Sequence, residues 1–325
     1  MISRDGCSVY PVTVPLGDGV LGSVNCYLLE EAGQLTLIDA GMNSDQFKES
    51  FMKVLMENSF KLQDLTRIII THHHVDHIGL ANWITKQIEI PVYAHAECAA
   101  RLRKENTLVS GQIGFYKQLF DQMGCGEDGR QKIEIYYQRL LAHGSGEIYS
   151  DIMPLQDDDA IVNLEAFETP GHSIDHIVFY DAKRKWLFSG DHFFSNVSSF
   201  VKVEFDSEGK RLKTYVQYIE SLKKCLVFDV DTVFPGHGEP FGRHKDAINT
   251  RLQRIGEKAA AILELIKSGV SIPDQLVRTY YENRYNKGFL AVMYEIIGIL
   301  DYLEIEKRIQ KQLKDGVWHY YPAEA

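Results

Sequence analysis

The sequence predicts an α+β protein: a strand-rich body that carries a helical insert and ends in a small, mainly helical appendage. Three observations carry this prediction. Short apolar runs bounded by Gly, Asp and Asn turns recur from Val24 to Phe234. From about residue 98 to residue 150 the pattern changes to amphipathic helix rich in aromatic rings. After Pro240 it is helical again almost to the end.

Taken in order, residues 24–29 and 35–38 flank a turn at Ala32-Gly33 and predict a hairpin. Ser44 is placed to cap a helix whose apolar face is Phe47, Phe51, Val54 and Leu55, at i, i+4, i+7 and i+8. A strand over 67–70 then runs into the histidine cluster, a further helix starts near His77, and 91–94 is another strand. In the insert, residues 111–120 and 132–141 predict two helices separated by the break Gly124-Cys125-Gly126. Strands follow at 160–162, 177–180 and 185–188, a helix over 214–224 and a strand at 232–234. Beyond Pro240 there is one long helix over 244–267, a break at Ile272-Pro273 and two more helices over 274–281 and 289–300. A hairpin over 308–321, turning at Asp315-Gly316, closes the chain. Three helices and a hairpin suggest a winged-helix-like domain over 241–325, after a body over 1–240.

Bulk properties narrow the function. At 325 residues the chain suffices for one large domain and a small one. No apolar stretch approaches the roughly 18 residues of a membrane helix, and the N-terminus lacks a signal-like apolar core, so a cytoplasmic location is expected. The five cysteines are dispersed with no CxxC pair, which argues against a disulfide framework or a thiolate zinc knuckle. A net charge of −10 disfavours a general nucleic-acid or anionic-membrane binder.

The chemistry lies at four places. Thr71-His72-His73-His74-Val75-Asp76-His77 follows the apolar run Ile68-Ile69-Ile70. His172 lies in Thr-Pro-Gly-His, Asp191 in Ser-Gly-Asp-His and His237 in Pro-Gly-His-Gly. Imidazole and carboxylate together bind transition metals. Residues two apart in extended chain share a side, so His72 and His74 can face one site while His73 points away. Asp76 and His77 then sit where the chain turns into a helix. Each of the later three follows a strand-like run beside glycine, and strand ends meeting at one edge of a sheet sandwich would gather all seven.

This set, His-x-His-x-Asp-His, then Pro-Gly-His, Gly-Asp and Gly-His, resembles the metallo-β-lactamase superfamily of metal-dependent hydrolases over roughly residues 8–240. The resemblance implies a four-layer αββα sandwich with two divalent metals at one edge. Zinc is the default, with iron or manganese compatible. One metal would be held by His72, His74 and His172, the other by Asp76, His77 and His237, with Asp191 bridging. Asp39, in Leu-Ile-Asp-Ala-Gly, matches the motif that orients the ligands from behind. The implied chemistry is attack by a metal-bridging hydroxide on a small-molecule ester, thioester or lactone, with Asp76 as the catalytic carboxylate. Within the superfamily, residues 190–200 depart from glyoxalase II. A closer likeness is a bacterial group of glyoxalase-II-like hydrolases with a helical insert and a winged-helix-like tail.

Two alternatives accompany this reading. A nuclease or phosphodiesterase could use the tail to hold nucleic acid, although residues 241–325 carry only 13 basic against 11 acidic residues. An iron-dependent redox enzyme of the persulfide dioxygenase type shares much of the motif. Phe115, Tyr116, Phe120, Tyr136 and Tyr137 could form an apolar lid over the metals. His176 and His192 could line the pocket, whereas His73, His95, His143, His244 and His319 read as structural or surface. The apolar positions Leu290, Val292, Met293, Ile296, Ile297 and Leu300 would pack the tail on the body or form a homodimer.

Overall fold

The computed structural model describes residues 1–17, 21–102, 105–142, 148–206, 208–282, 285–286 and 288–323. Parts of the expected insert, at 103–104 and 143–147, and with them His143, lie outside these residues. The chain forms two compact units. The first comprises Met1–Lys104, Gly146–Ser199 and Ser221–Ile248; the second comprises Glu105–Ser145, Phe200–Glu220 and Asn249–Ala325.

The first unit is a sandwich of two sheets. Seven strands make one sheet in sequence order: β1 (Ile2–Arg4), β2 (Cys7–Pro15), β3 (Ser23–Glu31), β4 (Gln34–Ile38), β5 (Leu65–Ile69), β6 (Val92–His95) and β7 (Ile152–Leu155). Pairing is antiparallel from β1 to β4 and parallel from β4 to β7. The other sheet has the order β12-β11-β10-β9-β8, from β8 (Ala160–Ile161), β9 (Leu164–Glu168), β10 (Ile177–Asp181), β11 (Trp186–Gly190) and β12 (Thr232–Pro235). Its β11–β12 pair is parallel and the remainder antiparallel.

Side-chain alternation explains the layering. On β3, Val24, Cys26 and Leu28 face a core shared with Phe47, Phe51 and Leu55 of α1 (Asp45–Glu57) and with Ala81 and Ile84 of α3 (Ala81–Thr85). Tyr27 and Leu29, one residue out of phase, enter a second core with Phe179, Trp186, Phe188 and Phe234 of the facing sheet. A strand buried on both faces has almost no polar positions, as residues 24–29 show. Ser44 caps α1 by accepting the Phe47 amide at 3.2 Å, as expected. On the far face of the second sheet Phe228 stacks on Tyr180 at 4.7 Å, and Lys224, at the end of α7 (Thr214–Cys225), pairs with Asp157 at 2.8 Å.

Four strands escape the sequence reading, the first of them the three-residue β1. β2 carries Pro11 and Pro15, which mask its alternation, while β7 and β9 are short and mix apolar with polar residues. Before β6 come the short helices α2 (Val75–Ile78) and α3, and after it α4 (Ala96–Leu102).

The second unit corrects the expected boundary at residue 240. Helices α5 (Glu105–Gln122) and α6 (Gly126–Ala142) do not belong with the body that precedes them in sequence. They share a core with α10 (Phe289–Ile305): Tyr116 packs on Tyr137 and Tyr294, both at 5.8 Å, and Phe120 meets Phe289 at 5.3 Å. Arg211 grips Asp301 with both terminal guanidinium nitrogens, at 2.5 and 2.6 Å, so the 200–220 segment joins the same unit. The tail also holds α8 (His244–Lys267), α9 (Pro273–Tyr281) and the hairpin β13–β14 (Ile309–Lys314, Val317–Pro322). Val292, Met293, Ile296, Ile297 and Leu300 are buried within this unit. No helix among the described residues is long and apolar enough to cross a membrane.

Candidate metal centre

β4, β5, β9, β11 and β12 bring their C-terminal ends to one edge of the sandwich, and each is followed within a few residues by a polar side chain of the site. Asp39 follows β4, the cluster at residues 72–77 follows β5, His172 follows β9, Asp191 follows β11 and His237 follows β12. The geometry groups these side chains as His72, His74 and His172; as His72, His77 and Asp191; and as Asp76, His77 and His237, the ligand atoms of each group lying within 4.8 Å of one another.

In the first group His74 Nδ1 lies 3.0 Å from His72 Nε2 and 2.9 Å from His172 Nε2. The nitrogens of a tetrahedral zinc site stand about 3.3 Å apart, so this convergence is close to what one cation would hold. Asp76, His77 and His237 form the second group, which shares His77 with the intermediate set; there Asp76 Oδ2 is 3.5 Å from His237 Nε2 and 3.9 Å from His77 Nε2. Asp191 reaches both groups. Its Oδ1 lies 3.3 Å from His77 Nε2, and its Oδ2 lies 3.1 Å from His237 Nε2 and 3.6 Å from His172 Nε2. His77 Nε2 and Asp191 Oδ1 are buried without a hydrogen-bond partner. A bound cation would satisfy both atoms, and it is on this observation that the residues fit a metal.

Electrostatics divides the site. Burial, then the neighbouring imidazoles, hold His72 and His74 well below the usual histidine range, so both offer lone pairs at neutral pH. Burial alone would raise Asp191, yet His77 and His237 beside it hold its carboxyl well below the usual range. Burial opposes a proton on His77, but Asp191, Asp39 and Asp76 outweigh it and push this imidazole well up. The second group is thus a place where positive charge is favoured.

Five of the seven candidate ligands are oriented from behind. Asp39 has a left-handed backbone (φ 57°) and accepts the Thr71 amide at 2.8 Å, the Thr71 hydroxyl at 2.9 Å and His77 Nδ1–H at 2.8 Å. Thr71 Oγ1 in turn lies 3.0 Å from His72 Nδ1. His237 donates Nδ1–H to the Ser23 carbonyl at 2.7 Å, and the loop that carries it is tied to β3 by Asn25 and Tyr27, which bond Pro235 O at 3.0 and 2.6 Å. Ser199 donates to the Asp191 carbonyl at 2.6 Å and stands 3.1 Å from His172 Nδ1. Ser23, Asn25, Tyr27, Thr71 and Ser199 were not singled out from sequence. The only hint is Asn25, a polar residue inside an apolar strand, here 1% exposed.

Glycine makes room at two points. A Cβ on Gly236 would lie 2.4 Å from Asp191 Oδ1 and 2.6 Å from His77 Cε1. At Gly190 (φ 47°) one would lie 2.8 Å from His176 Nε2 and from Thr71 Oγ1.

The remaining expected site residues join none of these ligand groups. His176 is buried rather than open to a pocket: its Nε2 accepts the Asp191 amide at 3.1 Å and its Nδ1 meets Thr169 Oγ1 at 2.8 Å, so it props the Asp191 backbone. His192 is fully buried too, and burial pushes its imidazole down to about 3. Phe115 and Tyr116 lie in the second unit. Phe115 packs on Phe205 at 4.5 Å, while Tyr116 is buried and donates its hydroxyl to Val203 O at 2.6 Å. Phe120 and Tyr137 are likewise buried there, so these rings are spent on their own unit's core.

Residues 19–237 match the family model described as the metallo-beta-lactamase superfamily. The chain is similar to the probable metallo-hydrolase YqjP of Bacillus subtilis, 28% identical over 302 residues that make up 93% of each chain. It is also similar to a beta-lactamase-like protein 2 homolog of Drosophila melanogaster, 27% identical over 315 residues, 94% of this chain and 91% of that one. Among solved structures, the metallo-beta-lactamase family protein TTHA1429 of Thermus thermophilus superposes with a TM-score of 0.76 at 22% identity, covering 97% of this chain and 98% of that one.

Proposed function

This chain belongs to the metallo-β-lactamase superfamily as a metal-dependent hydrolase, and from that premise we propose that it is a dinuclear enzyme acting on a small-molecule ester, thioester or lactone. One observation carries the dinuclear reading: Asp191 stands between two ligand groups, with Oδ1 3.3 Å from His77 and Oδ2 within 3.6 Å of both His237 and His172. A single carboxylate shared by two imidazole sets suits a bridge between two cations. The donors are nitrogen and oxygen with no thiolate, a set compatible with zinc, iron or manganese, and zinc is our choice.

When bound, the metals supply Lewis acidity and draw a nucleophile from water at neutral pH. The chain's own residues do the remainder. His72 and His74 present unprotonated nitrogens with His172 beside them, and Asp39 with Thr71 fixes which nitrogen of His72 and His77 faces the site. Asp76, with a side chain 28% exposed against 8% for Asp191, is the carboxylate placed to hold or pass a proton at its oxygen during attack and release of the leaving group. The acidic chain, at net −10, favours a small substrate over nucleic acid.

Metal analysis tests this reading on protein expressed without a chelating tag, followed by hydrolysis assays on thioesters, lactones and phosphodiesters. About two equivalents of metal per chain and turnover of an acyl compound are expected. Phosphodiester turnover alone would replace the substrate class. Failure to hold any metal, before or after reconstitution, would overturn the site.

A further inference from the structure

His73 reads from sequence as the idle member of the cluster, since alternation turns it away from His72 and His74. Its surroundings are not idle. The buried carboxylate of Asp175 takes the His73 amide on one oxygen at 2.9 Å and meets His73 Nδ1 with the other at 2.8 Å. Asp175 is fully buried, while the His73 side chain is 17% exposed. The segment at residues 71–74 has no helix or strand of its own to hold it. Asp175, three residues after His172, belongs to the other loop that supplies the first ligand group.

We propose that Asp175 is a positioning residue for the first metal: by gripping His73 at two points it sets the direction of the peptides on either side, and so locks His72 and His74 against His172. The inference rests on the metal-centre reading above. A two-point grip on one residue leaves its backbone and χ1 little freedom, and a ligand loop that is ordered before the metal arrives binds without a further entropic cost. The charge at Asp175 is supported locally. Burial would raise its carboxyl, but His73 and Arg101 hold it well below the usual range. The two loops are also stitched independently, by the Ile177 amide on Thr71 O at 2.9 Å. Loss of the carboxylate should therefore loosen the ligands without separating the loops.

The test uses the full chain, stripped of metal and titrated with zinc against a chromophoric chelator, and with cobalt followed by its visible spectrum. For Asp175→Ala we expect zinc affinity at the site of His72, His74 and His172 to fall by about 10–100-fold and the cobalt bands to shift, with the metal-free circular dichroism unchanged. His73→Ala, which alters a partly exposed side chain and keeps the backbone contact, should lose less. His73→Gln, whose amide can still donate to Asp175, should recover most of the His73→Ala loss. If Asp175→Ala fails to fold, the two His73 variants decide alone. Variants with the wild-type affinity and cobalt spectrum would overturn the clamp while leaving the metal centre intact. A wild-type chain that takes up no metal would overturn the metal centre itself.

Discussion

Gly236 and Asp76 show how much depends on single atoms at this edge. Gly236 leaves no space for a methyl group, because a Cβ would lie 2.4 Å from Asp191 Oδ1 and 2.6 Å from the His77 ring. Gly236→Ala is expected to displace the shared carboxylate, halving metal content or worse while the far-ultraviolet circular dichroism stays native. Full metal occupancy in that variant would show that the loop yields more easily than its packing implies. For Asp76→Ala the expectation is a loss of about 10²–10⁴ in kcat, the range associated with a positioned proton carrier, with the far-ultraviolet circular dichroism of the metal-free chain preserved. A rise in KM with kcat unchanged would assign Asp76 to binding instead. The candidate ligands that the fold gathers were legible in the sequence because their types and spacings are rare outside metal sites. The residues behind them were not, since Ser23, Asn25 and Ser199 act through a carbonyl, an amide and a hydroxyl placed by the fold, and beyond the polar Asn25 in an apolar strand nothing along the chain marks them.

Among the elements, α8, α9 and α10 meet around Glu295. Its carboxylate bonds Lys258 of α8 at 2.5 Å, accepts the Tyr281 hydroxyl of α9 and lies 4.0 Å from Arg251. Burial alone would raise Glu295, but Lys258, Tyr281 and Arg251 hold it below its ordinary value. A depressed carboxyl stabilises the fold above its unfolded value of about 4.3 and loses that contribution as pH falls through the lower folded value. Glu295→Gln should therefore lower Tm by a few degrees at pH 7, and the gap to wild type should close below about pH 4. A gap that does not change with pH would mean that packing, not charge, accounts for the loss. The helices themselves were readable from their apolar spacing. β2, β7 and β9 were not, because a strand is held by neighbours remote in sequence, and proline or a short mixed run erases its alternation.

For the whole molecule, the buried thiols and the metals give two global readouts. All five cysteines are buried, and burial lifts the thiols of Cys7 and Cys225 to about 12. None should react with a thiol-specific dye until the chain unfolds; fast labelling of even one would contradict this packing. A metal bound only by the folded chain adds stability by mass action, about 2.7 kcal/mol at a free concentration 100-fold above Kd. Chelation should accordingly lower Tm, and readdition of zinc should restore it. A Tm indifferent to chelator would mean that the ligands close up equally well without a cation.

From sequence came the α+β class, the seven candidate ligand residues, the run of helices and hairpin after residue 240 and, through the resemblance to the superfamily, Asp39 behind the ligands. These are local properties: residue chemistry, periodicity and spacing are written into contiguous segments. Only the tertiary structure assigned the insert to the tail's core instead of the body, turned His176 from a pocket candidate into a prop for Asp191, and joined His73 to Asp175 across a gap of 102 residues. Each of these depends on which distant segments share a core, and apolar rings such as Tyr116 or Phe120 fit any core of the right shape, so the sequence does not name their partners.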